Sequence, residues 1–253
     1  MHSASRRLDR AAVALLAGFV ALGSGTGSAQ PTTEPIAAPS GEGIAAAFDI
    51  VRTTVEIGER WLEFEMTVAG NAGTLRPEPV GQLAGAPVEA YVWPVDLDPA
   101  VVGFPADAGR LAFVVASHPD FDDTPLFDEN DDGDWENDGL VWHVHWVVLT
   151  EEERCSAGLA VRDLGETDPA DLPLTWPDMP IFIASPGYSP RIAGDTIEVR
   201  VPFRTPGAHA GVAFDGVTAS LRVDPDLEEP LLCVTAVHDI ASGDLSLPGR
   251  VGR

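Results

Sequence analysis

The sequence predicts an all-β fold, a mostly antiparallel β-sandwich or open barrel built as a single domain. Three observations carry this. Apolar residues alternate with period two in several short runs, twenty-two prolines and twenty-five glycines punctuate those runs, and no long 3.6-period segment follows the N-terminal leader.

Taken in order, the chain opens with Arg6, Arg7 and Arg10, an apolar run from Ala11 to Leu22, and small residues ending at Ala29. This layout is that of a signal peptide, residues 1–29, and predicts an exported protein, periplasmic or extracellular. The apolar run is too short for a membrane span, and no later segment supplies one. Residues 30–45, rich in proline, threonine and serine, read as a flexible tether, which leaves 46–253 as the β domain. Phe48 to Ile57 and Trp61 to Val68 alternate across Gly58-Glu59-Arg60 and make a hairpin with one wet face. Strands are further expected at Val88 to Pro94, Leu111 to Ser117, Leu140 to Leu149, Leu159 to Arg162, Ile181 to Ala184, Thr196 to Phe203, Val212 to Val223 and Leu231 to His238. Thr150-Glu151-Glu152-Glu153 has capping-box spacing and predicts one helical turn after the strand ending at Leu149.

Composition excludes several function classes. The formal charge is −25, and loss of a leader of net charge +2 takes it to −27. Nucleic acid and anionic membrane surfaces are therefore poor partners, and cations are good ones. All fifteen basic residues are arginine, which removes Schiff-base chemistry, a lysine base and a P-loop. Neither G-x-S-x-G nor H-E-x-x-H occurs, and His143 and His145 lack the Asp-His pair of the metallo-β-lactamase pattern. The two cysteines, Cys155 and Cys233, far apart in a chain bound for an oxidising compartment, are expected to form one disulfide.

The densest chemistry lies between Asp120 and Leu149. Ten carboxylates fall between Asp120 and Asp138 with no basic residue among them. Asp128, Asn130, Asp132 and Gly133 occupy positions 1, 3, 5 and 6 of a D-x-[DN]-x-[DN]-G loop, with Asp134 and Asp138 as further oxygens, so the segment is a candidate Ca2+ loop. Position 12 is Gly139 and the flanks read as strands, which excludes an EF-hand. A solvated acidic turn is the competing reading.

On the strand that follows, alternation puts Val141, His143, His145, Val147 and Leu149 on one face and Trp142, Val144, Trp146 and Val148 on the other. Imidazoles two residues apart on one face, about 6.6 Å between Cα atoms at ~3.3 Å per residue, can converge on copper or zinc. If Leu111 to Ser117 pairs antiparallel with this strand, His118 arrives beside it as the third ligand. The competing reading is a set of hydrogen-bonded histidines. A surface protein in which Trp135, Trp142 and Trp146 contact an unidentified protein partner is a third possibility.

His143-Val144-His145 resembles the H-x-H strand of the cupins, in which a glutamate follows four or five residues on; here Glu151 stands one place further. Pro206-Gly207-Ala208-His209 echoes the second cupin motif. The resemblance implies a metal-dependent enzyme or binding barrel centred on His143 and His145, with Glu151 or a loop carboxylate as a further ligand. The block from His118 to Leu149, with Tyr91 to Pro99, also resembles a block in secreted bacterial proteins to which no activity is attached; it implies export and a single domain.

Overall fold

The computed structural model describes residues 34–78, 80, 82–118, 141–203 and 211–251. Its strands are β1 (Ile36–Ala37), β2 (Ile50–Ile57), β3 (Trp61–Val68), β4 (Pro87–Pro94), β5 (Arg110–Ser117), β6 (His143–Glu151) and β7 (Leu159–Val161). They continue with β8 (Ile183–Ala184), β9 (Arg191–Ala193), β10 (Thr196–Pro202), β11 (Ala213–Phe214), β12 (Val217–Val223), β13 (Leu232–Ile240) and β14 (Gly249–Arg250). Every pairing among them is antiparallel. The all-β, antiparallel, single-domain expectation holds, with Pro31–Arg253 forming one unit.

Six strands close on themselves in the order β5-β4-β12-β13-β7-β6, because β6 also pairs with β5. The result is a barrel, with β8 added alongside β6. A five-stranded sheet, β1-β2-β3-β10-β9, packs against one side of it. β3 shows the cause of this layering. Leu62, Phe64, Met66 and Val68 are buried, while Trp61, Glu63, Glu65 and Thr67 are only partly covered. The wet face is laced by the pairs Arg52–Glu65, Arg200–Glu63 and Arg191–Glu198. Such exposed pairs contribute little to stability.

β5 and β6 are buried on both faces over most of their length. Their large side chains, Phe113 on β5 and Trp146 on β6, join Trp93 of β4 in the core shared with the five-stranded sheet. Their small ones, such as Ala112 and Ala116, face the barrel interior with Ala90 and Ala219. Alanine and valine at most of these inward positions do not fill the barrel to the density of a packed core, and the interior keeps open space.

Three differences from expectation have local causes. Ile36–Ala37, placed within the 30–45 tether, is a strand, because the edge of β2 offers partners at Arg52 and Thr53 and a buried seat for Ile36. No helical turn follows β6. Thr150 and Glu151 stay in the ladder with Ala160 and Leu159, and the Glu152 carboxylate folds back onto the Arg154 backbone N–H and guanidinium, closing a turn. Trp142 and Trp146 are buried core residues, not surface contacts. Trp135 lies outside the described residues, as do residues 1–29.

The Cys155–Cys233 disulfide forms, with Cα atoms 5.3 Å apart and a sequence separation of 78. It ties the turn after β6 to β13, and in the chain-entropy view a closure of that length contributes about 4–5 kcal/mol.

Tyr91 joins the two layers. Its hydroxyl donates to Ala47 O at 3.0 Å and accepts from Gly73 N at 2.8 Å, and burial pushes the phenol up to about 12. Below pH ~10 the phenol is protonated in both folded and unfolded chains, so its contribution is whole. Between about 10 and 12 the unfolded chain ionises first, and stability falls as pH rises, by roughly 2–3 kcal/mol in all. With no lysine in the chain, that window is free of ammonium titration. Urea midpoints at pH 9 and 11 are expected to fall more steeply in the parent protein than in Tyr91→Phe; parallel slopes would contradict this.

Candidate metal centre

The β5–β6 ladder places Ala116 opposite His143 and Val114 opposite His145. Because Ala112, Val114 and Ala116 face the barrel interior, His118, just past the end of β5, continues the inward row, and His143 and His145 meet it from β6. His118 and His145 are buried and His143 is half-buried.

The three rings present Nε2 atoms to one another. His118 Nε2 lies 2.7 Å from His143 Nε2 and 3.3 Å from His145 Nε2. One ligand nitrogen from each residue falls within 4.8 Å of the others. Tetrahedral zinc with bonds of ~2.0–2.1 Å separates its nitrogens by about 3.3–3.4 Å. The His118–His145 spacing is already of that size, and the His118–His143 spacing needs to open by about 0.6 Å.

Two of the outward nitrogens are held as well. His143 Nδ1 sits 3.0 Å from Val141 O, which only accepts, so Nδ1 carries the proton and Nε2 the lone pair. His145 Nδ1 is 3.1 Å from Ser185 Oγ. Outer hydrogen bonds of this kind set tautomer and ring orientation in metal-binding histidines. Burial, reinforced by the His143 and His118 imidazoles, holds His145 well below the usual histidine range, and so neutral. A neutral imidazole is the form that binds a metal.

The start of β6 is anchored by a glycine. Trp142 Nε1 donates to Gly73 O at 3.1 Å, and Gly73 N donates to Tyr91. Gly73 has φ +71°, and a Cβ there would come within 3.0 Å of Trp142 Nε1. A side chain would therefore strain the backbone and push the residue preceding His143.

Along the same inward wall, beyond the histidines, runs an apolar cavity of about 550 Å3 lined from all six barrel strands, among them Val88, Val114, Val147, Val161, Ala219 and Val234. At its far end stand Arg110 and Glu151.

The structure thus brings His118, His143 and His145 together. It places Glu151 at the opposite end of β6 from the trio, six residues from His145, so the cupin-like expectation of Glu151 as a metal ligand is corrected. Asp128, Asn130, Asp132, Asp134 and Asp138 lie outside the described residues, as does His209. His238 is exposed on β13 and bonded to Ser220. Ser185 and the Val141 carbonyl are partners of the trio that sequence reasoning misses. Ser185 stands 40 residues from His145 in a proline-bordered segment, and nothing in its neighbourhood signals the contact. Among the described residues no helix is long and apolar enough to cross a membrane. Comparison with protein-family models, curated proteins and solved structures gives no match, so the chemistry of this three-histidine cluster in a β-barrel is read from its own geometry: it can hold a transition-metal ion.

Proposed function

We propose that the protein is an exported metal-binding barrel that holds one zinc or copper ion on the Nε2 atoms of His118, His143 and His145, for structural or metal-handling use. One observation carries the reading: three inward nitrogens converge at ligand-like spacing while two of the outward nitrogens are tied to Val141 and Ser185. Nitrogen donors without thiolate suit zinc and copper over magnesium. Zinc in such a site takes a fourth ligand from water, substrate or another side chain. The leader pattern and the disulfide support export.

A cupin-like metal-dependent enzyme is the second reading. The cavity beside the trio on the inward wall favours it, with a ligand other than Glu151 completing the site.

Metal analysis of the protein isolated from its native compartment tests the proposal. About one equivalent of zinc or copper per chain is expected, with a melting temperature that drops on chelation and recovers on adding the metal back. Metal-free protein whose melting temperature ignores both treatments refutes it. The acidic segment from Asp128 to Asp138 is proposed as a separate calcium site, tested by adding calcium to a His145→Ala protein, where a rise in melting temperature would come from the oxygen ligands alone.

A further inference from the structure

The barrel cavity is a second site made of different residues. Its walls are mostly valine and leucine with Ala116 and Ala219 among them, while the bulk of the same sheet, Tyr91, Trp93 and Phe113, faces outward into the layered core. Apolar space left unfilled forfeits the dispersion contacts its walls would make, so an apolar guest is favoured there. About 550 Å3 is the size of a small-ligand site. It is also elongated. The β5 wall from Arg110 to Ala116 runs about 20 Å at ~3.3 Å per residue, which suits an extended chain better than a rounded ring system.

The cavity has a direction. Ala116 and Val147, beside the histidines, are buried; Leu149 is half-buried; Arg110 and Glu151 are exposed and mark the mouth. Arg110 is the notable group there. Carboxylates outnumber arginines 40 to 15 in this chain, and Arg52, Arg154, Arg191 and Arg200 each pair with a glutamate. Among the described residues Arg110 makes no ion pair and its side chain donates no hydrogen bond. Arg110 also lines a polar recess shared with Asp96, Ser246 and Arg250, so charge at the mouth can be met by solvent and by a head group. Glu151 and Asp96 are the acidic groups in reach of that mouth, and they disfavour a head of more than one negative charge.

We propose that the barrel binds one single-chain amphiphile with a monocarboxylate head, its apolar body lying in the valine- and leucine-lined interior and its carboxylate at Arg110. An arginine fork takes a carboxylate bidentately, which an alcohol or an ammonium head cannot reproduce. Arg110 and the apolar wall belong to neither the trio nor its outer hydrogen bonds, so the proposal stands or falls apart from the metal reading.

Calorimetric titration of the full chain with dodecanoate, below its micellar concentration, tests this. Saturable binding of one equivalent is expected. Arg110→Gln should weaken dodecanoate roughly tenfold, about the loss of one charge-assisted contact, and leave 1-dodecanol unchanged. Ala219→Leu, which fills the interior, should weaken both. The same titration in chelator-treated His145→Ala protein should still show dodecanoate binding, because a carboxylate held by metal would vanish there. Absence of saturable dodecanoate binding, loss of it with the metal site, or equal affinity for dodecyltrimethylammonium each overturns the proposal. The Arg110→Gln protein changes only a solvent-facing head group, so its folding is not at issue.

Discussion

Replacing His145 by alanine is expected to lower zinc or copper affinity by on the order of 100-fold or more. Loss of an outer-shell partner of a metal ligand typically costs 10–100-fold, and the ligand itself costs at least the upper end of that range. The buried ring supplies Nε2 3.3 Å from that of His118, and no described carboxylate or thiol joins the trio as a further ligand. His118→Ala and His143→Ala should behave alike. Ser185→Ala, which leaves all three ligands in place but frees the His145 ring, should cost roughly 10–100-fold. His238→Ala, at an exposed position of β13, should cost nothing. Competition against a chromogenic chelator reads all five. Equal affinity in the parent and in His145→Ala would show that the convergence of the rings is a hydrogen-bonded cluster without a ligand role.

The second large effect concerns the core that holds the barrel to the five-stranded sheet. Phe64 on β3 is fully buried, stacks on Phe113 at 4.6 Å, and meets Trp93 and Trp146 edge-on at 5.8 and 6.0 Å. These aromatic neighbours are rigid and cannot collapse into the space a smaller residue leaves. Phe64→Ala is expected to destabilise by about 3–5 kcal/mol, which for a domain of this size lowers the melting temperature by roughly 6–20 °C. Phe64→Leu should cost clearly less, since it keeps most of the volume. Trp146 directly follows His145, so the damaged core should also loosen the metal site modestly. A fall below about 1 kcal/mol in Phe64→Ala would mean that the two layers do not share one core.

Much of the fold was legible in the chain. β3 runs over the expected Trp61–Val68, and β2, β4 and β5 match to within a residue or two, because period-two alternation is a local property that survives in the folded ladder. The short strands β9 and β14 were not legible. Two or three residues carry no measurable period, and they are strands only because an edge lies beside them. The capping-box pattern misled for a related reason. A local helical signal at Thr150 lost to the ladder with β7, a contact made by residues distant in the chain.

For the candidate site, the sequence by itself determined that His143 and His145 share a face, that His118 directly follows the apolar run Leu111 to Ser117, that Cys155 and Cys233 were free to pair, and that no lysine chemistry exists. Only the tertiary structure decided that β5 closes on β6, that the shared face is the inside of a barrel, that Ser185 reaches His145, and that Glu151 stands at the far end from the three histidines. The physical reason is range. Which side of a strand a residue occupies follows from backbone geometry between neighbours, whereas which residues meet across a closed ring depends on register between strands, set by the packing of the whole domain.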